Sequence, residues 1–255
     1  MDRLRDSRPA LRARQPDRLP RFLPAWLQER ANVHVRELYG FVDRVSQELP
    51  EGARLLDAGA GEGRFRGYFA LQQYVGMDLA VGNAAWNYST LDAVGDLANL
   101  PLADATFDAV LCIQTLEHVP EPASVLTELA RVLRPGGKLY LSAPQSWHQH
   151  QKPHDYFRFT SFGLRYLIEK AGLQVEAMQA LGGYFWFLSF QLQNVIFWSM
   201  PRSAALWKRA CLWPLKAVLG LAFQVVLPLL LFYLDPLDRL QDETFGHVCV
   251  AVKGG

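Results

Sequence analysis

The segment that most constrains the fold is a short apolar run that leads directly into a glycine-rich turn. Residues 54–58 have the pattern of a buried strand, and Gly59, Gly61 and Gly63 follow it. Such a turn needs glycine because the chain bends tightly and a ligand can then approach the backbone without meeting a Cβ atom. A second predicted strand, Tyr74–Asp78, ends about twenty residues later on a carboxylate that can accept hydrogen bonds from ribose hydroxyls. The pattern predicts a nucleotide site at the carboxyl ends of parallel strands.

Strand and helix patterns alternate along the rest of the chain. Helical spacing of apolar residues predicts helices over 26–49, Pro122–Leu133 and 161–170. The further predicted strands are Phe107–Ile113, Lys138–Ser142, Leu173–Leu181 and His247–Lys253. Strands that alternate with helices predict an α/β fold with a mostly parallel sheet, covered by helices on both faces.

Two residues of the turn favour a sulfonium nucleotide over a dinucleotide. Arg64 stands where the dinucleotide fingerprint would require its third glycine. Asp57 precedes the first glycine, where a carboxylate would repel a pyrophosphate but would attract the ammonium group of a methionine moiety. A structural acid that accepts hydrogen bonds from the turn amides is the alternative for Asp57.

Residues 55–143 resemble the class I S-adenosylmethionine-dependent methyltransferases, in the branch similar to ubiquinone and menaquinone methyltransferases. The matching stretches are LLDAGAGEGRF, VGMDL, GDLANLPLADATFDAVLCIQTLEHV and LARVLRPGGKLYLSAP. The resemblance implies an enzyme that uses S-adenosylmethionine as its cofactor. It also implies a Rossmann-like three-layer α/β/α sandwich with a mostly parallel seven-stranded sheet. The apolar pattern of this chain adds a hydrophobic helical insertion before the last strand.

The resemblance assigns cofactor-binding roles to nine residues of this sequence. It implies that Asp57 and the three glycines hold the methionine end and that Asp78 holds the ribose. Asp96 would contact the adenine amino group, and Gln114 would line the site near the sulfonium. The complete implied set is Asp57, Gly59, Gly61, Gly63, Asp78, Leu79, Asp96, Leu97 and Gln114.

Three residues on the acceptor side are candidates for catalysis: His118, His154 and Tyr156. Methyl transfer from a sulfonium needs alignment above all, and a base only where the acceptor carries a proton. His118 follows a central strand and is interpreted as a base or an acceptor contact, with a hydrogen bond that orders its loop as the alternative.

The histidine-rich segment 148–158 offers two interpretations. Its H-x-H-x3-H spacing (His148, His150 and His154) is compatible with metal binding, but no fourth ligand has suitable spacing, so we expect no metal. We instead expect a polar rim or lid over the acceptor pocket, ordered by Arg158. Cys112 is interpreted as a core thiol, and the absence of any CxxC pair among three cysteines fits a reducing compartment.

The composition and the residues that follow the strand Phe107–Ile113 limit the chemical class of the methyl acceptor. A net charge of +1 gives no general attraction to nucleic acid, so no nucleic-acid partner is expected. The residues after Ile113 lack the Asn/Asp-Pro-Pro-aromatic motif of enzymes that methylate adenine or glutamine nitrogens, and no Pro-Cys nucleophile of the cytosine type occurs there. A small or lipophilic acceptor is therefore favoured.

Two apolar blocks, Tyr184–Met200 and Ala217–Leu234, flank the basic segment 201–216. A spanning hairpin would carry those basic residues across the membrane, against the positive-inside tendency. We therefore expect helices that lie in the cytoplasmic leaflet, with membrane contact through 184–234 and a lipid or other small-molecule substrate. A spanning hairpin and a soluble cap or dimer interface stay open as alternatives.

The sequence divides into three predicted parts. These are a basic, flexible tail at 1–25, a methyltransferase domain at 26–183 and 247–255, and the insertion at 184–246. No apolar stretch follows the arginine-rich start, so we expect a cytoplasmic protein held at the inner face of the membrane. A non-catalytic membrane adaptor with the same fold is the main alternative function, and Arg64 disfavours a nicotinamide-dependent oxidoreductase.

Overall fold

A computed structural model describes residue 30 and residues 33–82, 85–198 and 206–254. These described residues fall into two compact units. The first contains 38–179 and 246–254, and the second contains the described parts of 30–37 and 180–245. The predicted tail at 1–25 lies outside the described residues, and the predicted domain boundaries stay a prediction.

A seven-stranded sheet forms the centre of the first unit. Its strand order is β3-β2-β1-β4-β5-β7-β6, with β7 antiparallel to β5 and the pairs β1–β2, β1–β4, β2–β3 and β4–β5 all parallel. The strands are β1 (Arg54–Ala58), β2 (Gln73–Asp78), β3 (Ala93–Val94), β4 (Phe107–Ile113), β5 (Leu133–Pro144), β6 (Leu173–Ala180) and β7 (Gly246–Lys253). The predicted mostly parallel, seven-stranded Rossmann-like sandwich is confirmed.

Three helices accompany the sheet: α1 (Val33–Glu48), α2 (Pro122–Val132) and α3 (Ser161–Lys170). Thr160 caps the start of α3, since its side chain accepts a hydrogen bond from the Gly163 amide. The sequence analysis missed β3, because a strand of two residues leaves no periodic signal.

The core lies between the central strands and α2. Val110 on β4, Leu139 on β5 and Leu129 on α2 are each 0% exposed. Burying such a side chain stabilises the fold by about 1.5–3 kcal/mol. The rigid core fixes the carboxyl ends of β1, β2, β4 and β5, which carry most of the predicted site residues.

Helices make up most of the described insertion in the second unit: α4 (Tyr184–Trp198), α5 (Leu206–Leu221), a π-helical turn (Ala222–Val226) and α6 (Leu227–Leu234). The start of α4 is capped by two carboxylates that follow α6. Asp235 accepts hydrogen bonds from the amides of Gly183 and Trp186, and Asp238 accepts one from the Tyr184 amide. These bonds satisfy amides that a helix start leaves without intrahelical partners, and they join the two ends of the insertion.

The helix that contains the start of the second apolar block begins earlier than the sequence pattern indicated, because α5 starts at Leu206, inside the basic segment. Within the described residues, one helical stretch, Trp213–Leu237, is long and apolar enough to cross a membrane. Its most apolar window has a mean hydropathy of 2.3 and is 11% buried. Length and composition alone do not separate a span from a helix that lies on a surface.

The antiparallel pairing of β5 with β7 should depend on a glycine at position 246. A Cβ atom there would lie 2.8 Å from Pro144 Cα and also against the Ala143 carbonyl oxygen, so the neighbouring backbone would have to move. We expect Gly246→Ala to lower the free energy of unfolding by about 1–3 kcal/mol in chemical denaturation. Gly254→Ala, at a position with no atom within 4 Å, is the control and should leave stability unchanged.

Candidate active site

The glycine-rich turn after β1 is tied to the end of β2 through Asp78. One Asp78 carboxylate oxygen accepts a hydrogen bond from the Gly61 amide at 2.9 Å, and the other accepts one from the Ala80 amide at 2.8 Å. All three turn glycines have positive φ angles, a conformation that other residues rarely adopt. Each Asp78 oxygen keeps a further lone pair that can accept another hydrogen bond.

Asp57 lies at the inner side of the turn and is 1% exposed. The Tyr74 hydroxyl donates a hydrogen bond to it, whereas the turn amides of Gly59 and Gly61 donate to the Met77 carbonyl and to Asp78. Burial raises the pKa of Asp57 to about 7, although the hydrogen bond from Tyr74 and the charge of Arg64 act in the opposite direction. The geometry thus gives Asp57 no turn amide as a partner, contrary to the alternative that the sequence left open.

The other predicted cofactor residues lie on loops at the same edge of the sheet. Leu79 is half exposed directly after β2, and Leu97 is buried. Asp96 is exposed and accepts a hydrogen bond from the Ala98 amide. Gln114, directly after β4, donates its side-chain amide to the Ser142 hydroxyl at the end of β5.

Thr115 connects the cofactor turn to the acceptor side. Its hydroxyl lies 3.4 Å from the Gly59 carbonyl oxygen, and a Cβ atom on Gly59 would lie 2.7 Å from the Thr115 Cβ. The segment Leu116–His118 follows as a single 3₁₀ turn. The first predicted acceptor residue, His118, therefore lies three residues after Thr115, which contacts the glycine-rich turn directly.

The structure brings together the three predicted catalytic residues around that turn. His118 Nδ1 lies 2.5 Å from the His154 carbonyl oxygen, and the Tyr156 amide donates to the Glu117 carbonyl. The His154 ring lies 3.4 Å from the Tyr156 hydroxyl. His118 therefore makes the hydrogen bond that orders its loop, and its Nε2 atom is buried without a hydrogen-bond partner.

Arg158 braces the loop that follows β5. Its guanidinium forms a bidentate ion pair with Asp155 and donates to the carbonyl oxygens of Trp147 and His148. The hydrogen bonds from Arg158 lower the pKa of Asp155 to about 2. Asp155 in turn accepts a hydrogen bond from the His150 amide, so one ion pair holds the loop residues that face His118.

Glu117 is a site residue that the sequence analysis did not single out. It is 0% exposed, and both of its carboxylate oxygens are buried without a hydrogen-bond partner. Burial raises its pKa to about 8. Its position directly before His118 was the only available signal, because nothing in the sequence indicates that the loop after β5 covers it. Within the described residues, the side chains that could share a metal ion are Glu117, His118 and His150, not the histidine trio considered from spacing.

Comparison with known families identifies the domain that carries most of these residues. A family model described as a methyltransferase domain matches residues 56–141. Residues 56–141 are a class I methyltransferase domain. The domain match runs from within β1 to within β5 and includes Asp57, Asp78 and Glu117, whereas the loop with His150 and Arg158 lies beyond it.

Relatives of the methyltransferase domain differ in acceptor. The chain is 32% identical over 146 residues to an arsenite methyltransferase of Aquipseudomonas alcaligenes, covering 47% of this chain and 42% of the relative. It is 38% identical over 117 residues to a ubiquinone biosynthesis O-methyltransferase of Xanthomonas oryzae pv. oryzae, covering 40% and 47%. The chain thus spans less than half the length of either curated relative.

A solved structure supports the fold. Phosphoethanolamine N-methyltransferase 2 of Haemonchus contortus, in complex with S-adenosyl-L-methionine, superposes with a TM-score of 0.51 at 16% identity, covering 86% of this chain and 53% of that chain. At this identity the likeness shows the methyltransferase fold alone.

The contact between Gly59 and Thr115 should be needed for cofactor binding. Gly59→Ala places a Cβ against Thr115 and also forces alanine into a φ of +85°. We expect at least a tenfold (~1.4 kcal/mol) loss of S-adenosylhomocysteine affinity by calorimetry. Gly52→Ala is the matched control, since Gly52 has a φ of +78° and no atom within 4 Å of its Cβ position. Equal losses in the two variants would show that the Thr115 contact is irrelevant.

Asp57 should make the stability of the ligand-free chain fall with rising pH. Its pKa is about 7 in the folded chain against 3.8 ordinarily, so the folded state holds the proton more tightly, and the stability present below pH 4 is lost as the pH rises through 7. The melting-temperature difference between Asp57→Asn and wild type should therefore become more positive between pH 4.5 and pH 7.5. Asp155→Asn is the control. Because the pKa of Asp155 is lowered to about 2, its offset should stay constant over that range.

Proposed function

We propose that this chain is an S-adenosylmethionine-dependent methyltransferase that acts on a small or lipophilic acceptor. The observation that carries the proposal is the Asp78 carboxylate held against the Gly61 amide at the end of β1 and β2. A Cβ atom on Gly61 would lie 3.7 Å from the Trp86 ring, so an aromatic side chain lies beside the turn backbone. This is the arrangement that a nucleoside needs beside a glycine turn.

The residues of the turn fit the cofactor. Asp57 is a buried carboxylate without an ionic partner and suits the methionine ammonium group. Asp78 would accept the ribose hydroxyls, Asp96 the adenine amino group, and Gln114 would line the methyl-transfer site. When bound, the cofactor supplies a methyl group on a positively charged sulfonium. The protein then has to align the acceptor and exclude water.

His118 is the group best placed to take a proton from a hydroxyl acceptor. Its Nδ1 lies against a carbonyl oxygen, which can only accept, so Nδ1 carries the hydrogen and Nε2 presents a lone pair. Burial lowers the pKa of His118, which favours the neutral form. His154 and Tyr156 would contact the acceptor from the loop after β5.

The exposed apolar face of α5 and α6 supports action at a membrane surface. Eight large apolar side chains between positions 213 and 234 are at least 40% exposed. They are Trp213, Leu215, Val218, Leu221, Val226, Leu230, Tyr233 and Leu234. An apolar helix that lies in the interface would hold the enzyme where a lipid or isoprenoid-like acceptor is dissolved. The alternative is that a second copy of the chain packs against the same face in a dimer.

The test uses the full chain with methyl-labelled S-adenosylmethionine and membrane and soluble extracts of the host. We expect label in the organic phase, and a loss of S-adenosylhomocysteine affinity of at least about tenfold (~1.4 kcal/mol) in Asp78→Asn. Asp108→Asn is the matched control, because Asp108 also accepts a backbone amide hydrogen bond, from Arg54, but at the opposite end of the sheet.

The outcomes separate the parts of this proposal. Label in water or in precipitated protein would keep the methyltransferase and contradict the lipophilic acceptor. Intact cofactor binding without any transfer would favour the non-catalytic adaptor. Unchanged affinity in Asp78→Asn would contradict the cofactor site itself.

A further inference from the structure

Three potential metal ligands meet at the carboxyl ends of the two central strands β4 and β5. Glu117 and His118 lie on the turn after β4, and His150 lies on the loop after β5. One ligand atom from each of the three side chains lies within 4.8 Å of the others. The His118 and His150 ring centroids are 4.6 Å apart.

The hydrogen bonds of the two histidines orient their free nitrogens. The His118 Nδ1 atom lies 2.5 Å from the His154 carbonyl oxygen, and the His150 Nδ1 atom lies 3.2 Å from the His148 carbonyl oxygen. A carbonyl oxygen can only accept, so each Nδ1 carries the hydrogen and each Nε2 carries a lone pair. Metal-binding histidines commonly donate their second nitrogen to a backbone carbonyl in this way.

The buried Glu117 carboxyl group is a second observation that points to a ligand. Both oxygens are buried and unpartnered, and so is the His118 Nε2 atom beside them. An unpaired buried carboxylate is costly. A proton shared between the two groups does not relieve the cost, because Glu117 Oε1 and His118 Nε2 are 3.7 Å apart, beyond hydrogen-bond reach.

The same separation suits two ligands of one metal ion. Bonds of about 2.0–2.2 Å in tetrahedral geometry place ligand atoms about 3.3–3.6 Å apart. We propose that Glu117, His118 and His150 bind a divalent transition-metal ion of the zinc type. Two imidazoles and one carboxylate form a three-ligand set that leaves a coordination position open.

The exposure of the ligands shows where that open position lies. The side chains of Glu117, His118 and His150 are 0%, 12% and 26% exposed, so the site opens towards His150. Two hydrogen bonds hold the backbone around His150. Asp155 accepts one from the His150 amide, and Arg158 donates one to the His148 carbonyl oxygen. If the proposed methyl transfer is correct, the ion binds an oxygen donor of the acceptor and favours its deprotonated form, so that the ion replaces His118 as the group that promotes proton loss, because the His118 Nε2 lone pair is then a metal ligand. Metal binding itself does not rest on that proposal.

The test measures metal content, independently of activity. The full chain without an affinity tag is stripped with a chelator, dialysed against Zn²⁺ and analysed for zinc, and Co²⁺ is used to record a visible ligand-field spectrum. We expect about one ion per wild-type chain. Glu117→Gln and His150→Gln should each weaken binding at least about tenfold and abolish the cobalt spectrum. The His150 side chain is partly exposed, so its replacement should leave folding intact.

His148→Gln is the matched control, since His148 belongs to the same loop but lies outside the cluster. It should retain zinc at wild-type affinity. Zinc binding that is lost in His148→Gln or His154→Gln but retained in Glu117→Gln would overturn the proposal in favour of the histidine trio. Equal zinc content in wild type and Glu117→Gln would also overturn it. S-adenosylhomocysteine affinity, measured on the same samples, should stay unchanged, which separates this site from the cofactor site.

Discussion

The site depends above all on the hydrogen bond between the Gly61 amide and the Asp78 carboxylate. This bond joins the turn after β1 to the end of β2, so that the two parallel strands present one continuous edge. The parallel pairing of β1 with β4 then places Thr115 against Gly59 and brings the acceptor residues to the same edge. A ligand that binds the turn is therefore held by backbone whose position is fixed by the core, which is the arrangement that alignment of a transferred group requires.

The fold could be predicted from the sequence where local pattern and tertiary environment agree. Strand β4 was predicted with its observed bounds, because a continuous apolar run suits a strand buried on both faces. Strand β3 could not be predicted, since its two residues are held by pairing with β2 and not by a pattern of their own. The caps of α4 were likewise invisible, because Asp235 and Asp238 lie about fifty residues from the amides that they accept.

More of the cofactor side of the site than of the acceptor side could be predicted from the sequence. The turn and the Asp78 position are local in sequence, and a family resemblance assigns each of them a role. The acceptor side depends on how the loop after β5 folds back over the turn after β4. Three hydrogen bonds hold the loop there: one joins the His118 ring Nδ1 atom to the His154 carbonyl oxygen, and two run from the backbone amides of Tyr156 and Phe157 to the Glu117 carbonyl oxygen. Each of these bonds ends on a backbone carbonyl oxygen, which leaves no signature in the sequence, so the burial of Glu117 could only be seen in three dimensions.

Asp57 and Glu117, two buried carboxylates in the described part of the first unit, differ in their hydrogen bonding. Asp57 receives a hydrogen bond from Tyr74, whereas Glu117 receives none, yet burial raises the pKa of both. Neither group stabilises the ligand-free chain in its charged form, because each raised pKa reflects a carboxylate whose charge is disfavoured by burial. The charged form of such a carboxylate becomes favourable when a cation approaches. The ammonium of the proposed cofactor would do this for Asp57, and the proposed metal ion would do it for Glu117. The site is thus electrostatically incomplete on both sides of Thr115, and two different cations would complete it.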